Sequence, residues 1–230
     1  MMALTPFETE ALLLSLRVSF WSVLVSLPAG LLVAWLLARR DFPGKIVLDT
    51  VVHLPLVLPP VAVGYVLLIL LGRKGLVGAW LYETFGITVA FTWRGAAIAA
   101  AVMAFPLMVR ALRLSLEAVD RRLEAAARTL GAGPLRVFAT ITVPLITPGI
   151  ITGMILAFAR SLGEFGATIT FVSNIPGQTR TLPLALYTLA QTPGGETGAL
   201  RLVLLSVALA VVALVASELI ARRVTARVRG

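Results

Sequence analysis

Arg160 and Glu164 stand four residues apart at the end of a long apolar run, in Phe158-Ala159-Arg160-Ser161-Leu162-Gly163-Glu164-Phe165-Gly166-Ala167. That spacing puts both on one face of a helix, although arginine before glutamate is the weaker order for a helical pair. Charges within a membrane span face the bundle interior or a wet cavity. There Arg160 would offer positive potential to an anion and Glu164 would hold it in place. The competing reading has both side chains snorkelling to the outer interface. Arg17 either adds to this potential or serves as a topology or headgroup anchor, and Trp80 and Trp93 read as interface anchors.

Catalytic chemistry has little to build on. No G-x-x-x-x-G-K-[ST] phosphate loop occurs, and Pro193-Gly194-Gly195-Glu196-Thr197-Gly198 lacks the lysine and carries an acid where phosphate would sit. There is no Ser-His-Asp set, no helical H-E-x-x-H and no buried carboxylate pair. Cys is absent and His53 stands alone, which excludes disulfides, thiolate sites and histidine-cluster metal sites. The chain is expected to be no enzyme, with no catalytic residue, no metal and no cofactor of its own. If ATP drives it, the nucleotide site lies on another chain.

The elements that position these residues are membrane helices. The chain is 59% hydrophobic and 13% charged, against about 25% charged in an ordinary soluble domain, and its mean hydropathy is +0.97. An all-α integral membrane protein follows, one domain over 1–230. Five spans are expected, over about 12–38, 47–71, 93–114, 141–165 and 200–221, since about 20 apolar residues cross the hydrocarbon. Leu182 to Ala190 is too short and reads as a helix at the surface or dipping part way. Pro55, Pro59 and Pro60, with Gly64, make the second span irregular, either as a cavity lining or as a packing kink. Gly149 and Gly153 form a G-x-x-x-G that brings helices close, within one subunit or between two.

Basic residues set the orientation. One side would hold Arg39, Arg40 and Lys45, then Arg110, Arg113, Arg121, Arg122, Arg128 and Arg136, then Arg222, Arg223, Arg227 and Arg229. These are thirteen of the 20 lysines and arginines. That side is expected to be cytoplasmic, with the N-terminus outside and the C-terminus inside. The net charge of +9 therefore reads as a topology signal and not as a nucleic-acid surface.

The loop at about 115–140 then faces the cytoplasm. It has two helix-forming halves split by Gly131-Ala132-Gly133-Pro134, where glycine frees the backbone and proline begins a new helix. A connection between two spans needs neither this length nor this helical character, so it reads as a docking element. Leu123-Glu124-Ala125-Ala126-Ala127-Arg128-Thr129-Leu130-Gly131-Ala132, closing on Ile141-Thr142-Val143-Pro144, resembles the EAA loop by which ABC importer permeases engage their ATPase. Ala126, Ala127, Gly131, Ile141 and Pro144 match the pattern. The usual glutamate position is Ala125 here, and Glu124 stands one place earlier.

Further stretches carry the resemblance across the chain. They are Asp41-Phe42-Pro43-Gly44-Lys45, His53-Leu54-Pro55-Leu56-Val57-Leu58-Pro59-Pro60, Gly72-Arg73-Lys74-Gly75-Leu76-Val77-Gly78, the Arg160–Glu164 stretch, and Gln191-Thr192-Pro193-Gly194-Gly195-Glu196. Together they resemble the molybdate permeases. The resemblance implies the five-span type I ABC importer (MetI-like) fold and a homodimer with one pathway at its two-fold axis. It also implies a pair of cytoplasmic ModC-type ATPase subunits that use the ATP, and a periplasmic ModA-type protein delivering molybdate or tungstate. The coupling-loop residues would be Glu124, Ala126, Ala127, Gly131, Ala132, Gly133, Ile141 and Pro144, and the pathway residues Pro55, Pro59, Pro60, Arg160 and Glu164. The alternatives are a sulfate- or thiosulfate-type ABC permease and an ATP-independent secondary anion transporter. Its surroundings would be membrane lipid in the bacterial inner membrane.

Overall fold

The computed structural model describes residues 4–229, with side chains described through Ala216 and at Leu219. The side chains of Glu218, Arg222, Arg223, Arg227 and Arg229, on which part of the charge asymmetry rests, lie outside the described residues. Among the described residues every regular element is helical.

Helix α1 covers Pro6–Arg39 and starts earlier than the apolar run suggests. Thr5 accepts a hydrogen bond from the Glu8 amide at 3.3 Å, and the Glu8 carboxylate accepts one from the Thr5 amide at 2.8 Å. This capping box satisfies two backbone donors that a helix start leaves open. Glu8 is 2% exposed and pairs with Arg201 at 3.1 Å, which ties the start of α1 to the last helix.

The chain continues through α2 (Lys45–Val57), α3 (Pro60–Leu71), α4 (Leu76–Phe85) and α5 (Trp93–Glu117). α5 is the axis of the bundle. Its Ala96, Ala99 and Ala100 are fully buried, and these small side chains let neighbouring backbones approach closely. In lipid such close packing supplies much of the attraction that the hydrophobic effect supplies in water. One cluster gathers α1, α3 and α9 (Gly166–Val172) on the N-terminal half of α5. A second gathers α1, α2 and α8 (Val143–Leu162) on its C-terminal half.

α2 and α3 meet at 116°, so the expected second span is two short helices around an elbow. Pro59 and Pro60 cannot donate the helical hydrogen bonds that would carry α2 onward. Val52 packs at the C-terminal half of α5 and Val63 and Leu67 at its N-terminal half, so the pair still runs from one end of the bundle to the other.

α6 (Arg121–Thr129) and α7 (Pro134–Val137) form the hairpin between α5 and α8. α10 (Leu182–Ala190) packs against α1 and α11 (Glu196–Arg229), with Leu182, Leu184 and Ala185 buried. The helix α4 was not foreseen in the sequence. Gly149 and Gly153 face α5 of the same chain, because a Cβ at Gly149 would collide with Ser115 and one at Gly153 would press on the Met108 carbonyl at 3.3 Å. Among the described residues, four helices are long and apolar enough to cross a membrane, and α2–α3 makes a fifth if the bent pair is one span.

Candidate functional site

The hairpin starts at Asp120, whose carboxylate accepts the Arg122 amide at 2.9 Å. α6 ends where Gly131 takes a left-handed backbone, φ +85°, and the Ala132 amide reaches back to the Ala127 carbonyl at 3.1 Å. This is the helix ending that glycine makes cheap. Pro134 then opens α7 at the first helical position, where its missing N–H costs nothing.

The second half of the hairpin is not a separate helix. α7, a π-helical turn over Phe138–Thr142, and α8 make one continuous helix, Pro134–Leu162. The helix that carries the expected fourth span therefore begins at Pro134. Pro144 explains the wide turn: its nitrogen cannot bond back to Thr140, and its ring would crowd that carbonyl. The Val143 amide instead reaches the Phe138 carbonyl, which opens the turn by one residue.

Glu124 faces into its own chain. Its carboxylate accepts the Arg39 guanidinium at 3.0 Å and the Thr142 hydroxyl at 2.8 Å, and the two ion-pair side chains are only 9% and 14% exposed. It braces α6 against the end of α1 and the start of the π-helical turn. Ala125, at the usual glutamate position, is exposed, as are Ala126, Gly131, Gly133 and Pro144, while Ala127, Ala132 and Ile141 are half-buried. At its turn the hairpin exposes two leucines among its exposed arginines: Leu130 is 88% exposed and Leu135 84%. Two bare leucines flanking a rigid turn are the kind of surface that another protein covers. Nearby, the Lys45 ammonium 2.9 Å from Asp41 holds that exposed carboxyl below its ordinary pKa, chiefly through the hydrogen bond.

Removing one partner of a buried ion pair costs about 3–5 kcal/mol, because the other charge stays buried. Glu124→Ala is accordingly expected to release α6 from α1. Limited trypsin cleavage after Arg121, Arg122 and Arg128 should become at least about tenfold faster, since a tenfold change needs only about 1.4 kcal/mol. An unchanged cleavage rate would show that the brace is dispensable.

At the other end of the Pro134–Leu162 helix lies a second elbow, and the two elbows touch. A Cβ on Gly64 would stand 2.5 Å from the Ala167 carbonyl oxygen, and one on Gly166 would stand 2.7 Å from Pro60 Cβ. Within the second elbow sits Glu164, 3% exposed. One oxygen lies 2.6 Å from Arg160 and the other accepts the Ala167 amide at 2.9 Å, which caps α9. Glu164 is therefore inside the bundle. Arg160, 27% exposed at its side chain, has its charge largely balanced by Glu164. Pro60 thus joins the Arg160–Glu164 elbow. Pro55 does not: it lines a separate apolar groove with Val25, Ile98 and Phe105.

The sequence reading missed a polar stripe on α1. Ser15, Ser19, Ser22 and Ser26 are all buried, and their four-three-four spacing is one helix face. Ser15 accepts the Leu182 amide at 2.7 Å, and Ser22 bonds Ser161 at 2.8 Å, beside Arg160.

Known proteins share both sequence and fold. Residues 26–226 match the family described as binding-protein-dependent transport system inner membrane component. The chain is 67% identical over 221 residues to the molybdenum transport system permease protein ModB of Escherichia coli K12, covering 96% of each. It is 56% identical over 216 residues to the ModB of Haemophilus influenzae, covering 94% of each. The crystal structure of a bacterial ABC transporter that imports the acidic polysaccharide alginate matches in fold, with a TM-score of 0.76 at 18% identity, covering 96% of this chain and 81% of that one.

Proposed function

The chain belongs to the family of binding-protein-dependent transport system inner membrane components, and on that ground we propose that it is the membrane permease of an ATP-driven molybdate importer. It has the MetI-like type I permease fold, sits in the bacterial inner membrane as a multi-pass protein, and is not itself an enzyme. Two copies form one pathway at their two-fold axis, with the hairpin end in the cytoplasm and the N-terminus outside. A pair of ModC-type ATPases hydrolyses ATP below, and a ModA-type binding protein delivers molybdate, or tungstate, from above.

One observation carries this reading. A single 29-residue helix, Pro134–Leu162, has the hairpin at one end and the paired elbows at the other. At 1.5 Å per residue it is about 43 Å long, enough to cross the bilayer. Leu130 and Leu135 give an ATPase an apolar seat, and the Glu124 brace ties that seat to α1. Closure of the ATPase dimer then moves the hairpin, and the stiff helix delivers the movement to the elbows beside Glu164. ATP binding thereby biases two access states of one site.

Arg160 and Glu164 act in this scheme as a neutral pair that holds the elbow, with the guanidinium's free face toward the pathway. Arg160→Ala alone would strand Glu164, so structure and transport would fail together. The informative variant is Arg160→Gln with Glu164→Gln, which removes both charges. It is expected to assemble with its ATPase yet import molybdate at least tenfold more slowly. Wild-type uptake by that variant would leave the pair with no part in transport.

The function is tested in vesicles carrying the permease, its ATPase and its binding protein. Molybdate uptake should require ATP and should persist against excess sulfate. Uptake that sulfate suppresses favours the sulfate-type reading. Uptake without the ATPase that collapses with the proton gradient favours the secondary transporter.

A further inference from the structure

Two grooves meet at the hairpin end of α1. The first, ≈ 440 Å³, is lined by Arg39, Arg40, Arg121 and Arg128 with Trp35 and Glu124. Glu124 is occupied by Arg39 and Thr142, and among the described residues Arg40, Arg121 and Arg128 have no acidic partner. Arg39 is nine-tenths buried, and its Nε has no hydrogen-bond partner. Four guanidinium groups around one carboxylate leave a net positive potential that a further anion would lower.

The second groove, ≈ 560 Å³, shares Trp35, Arg40, Glu124 and Arg128 with the first. Apart from Thr142 the rest of its lining is apolar, Leu135 included, and it runs along α1 past Leu32 to Pro28, a proline within the spanning helix. Its size falls within the range of organic ligand sites, about 300–1,000 Å³. Trp35 lies where the two join, with the Arg40 guanidinium 5.3 Å over its ring, as tryptophan does at a membrane interface. Positive charge at the surface passes without a break into an apolar channel toward the membrane interior.

We propose that this groove holds one anionic phospholipid, its phosphate diester on Arg40, Arg121 and Arg128 and one acyl chain along α1. The lipid would steady α6 against α1 beside the Glu124 brace. A free phosphate or other oxyanion would answer the arginines but leave the apolar groove unfilled, and a neutral lipid would do the reverse. The inference rests on the hairpin lying at a membrane surface and not on which ion the transporter carries.

The test is lipid retention by the complete transporter, read by native mass spectrometry after equal supply of phosphatidylglycerol and phosphatidylcholine. The wild type should keep phosphatidylglycerol at least tenfold over phosphatidylcholine. Arg40→Gln with Arg121→Gln and Arg128→Gln should lose that preference while the ATPase still co-purifies. If the triple variant fails to assemble, Leu32→Trp, which fills the acyl groove and leaves the arginines in place, should lower phosphatidylglycerol retention by a similar factor. An unchanged preference in these variants would overturn the proposal. So would displacement of the lipid by millimolar inorganic phosphate, which marks a free-anion site.

Discussion

Gly131→Val is expected to abolish ATP-dependent uptake while leaving the permease folded in the membrane. Gly131 holds φ +85°, and a Cβ there would meet nothing within 4 Å, so the cost is conformational and not steric crowding. A left-handed backbone costs an L-residue about 1–2 kcal/mol, and a β-branched side chain tolerates it worst. At about 1.4 kcal/mol per factor of ten, that penalty shifts the equilibrium about five- to thirtyfold away from the native turn. The chain after Ala132 would then leave α6 in another direction, and Leu130 and Leu135 would no longer share one seat. Gly131→Asn is the control, because asparagine accepts this backbone more readily. Uptake and ATPase co-purification should both fail for valine and largely survive for asparagine. If valine and asparagine behave alike, the turn's handedness is irrelevant to coupling.

Gly64→Val is expected to separate the two elbows and stop transport wherever the protein still assembles. Its Cβ would lie 2.5 Å from the Ala167 carbonyl oxygen and 2.8 Å from its Cα, both backbone atoms that cannot turn aside. The contact joins α3 to α9, and α9 is capped by Glu164, so displacing it also loosens the Arg160 pair. Overpacking of this kind costs about 1–3 kcal/mol or more. Gly163→Ala, one residue from Glu164 but with nothing within 4 Å of its Cβ, should be nearly silent in both stability and uptake. Equal damage at the two positions would mean that the close approach at Gly64 has no special importance.

The hairpin was legible because its polar residues interrupt apolar runs and because glycine and proline at 131–134 have few structural uses. Its inner contacts were not. Glu124 meets Arg39, which is 85 positions away, and no local pattern announces such a pair. The same holds for Glu8 and Arg201. Hydropathy windows also skip charged residues, so the first span was begun at about 12, although Thr5-Pro6-Phe7-Glu8 is a capping box with proline at the first helical position. Pro144 falls where hydropathy begins the fourth span, yet the helix starts ten residues earlier because a π-helical turn absorbs the proline. Pro59 and Pro60 announced an irregular helix, but its 116° angle depends on how α3 packs against α9 and α5. The buried serines of α1 have a readable helical spacing, and they pass unnoticed because serine is common in spans.

The central claim is that movement enters at the hairpin and leaves at the elbows, and labelling of one engineered cysteine at the α2–α3 elbow tests it most directly. The chain has no cysteine of its own, so Val57→Cys gives a single site on it. In the complete transporter, the rate at which a water-soluble maleimide modifies that site should change about tenfold or more on ATP binding, and the same measurement with Gly131→Val added should show no change. An elbow that still responds to ATP when the hairpin turn is broken, or one that never responds, would contradict the account.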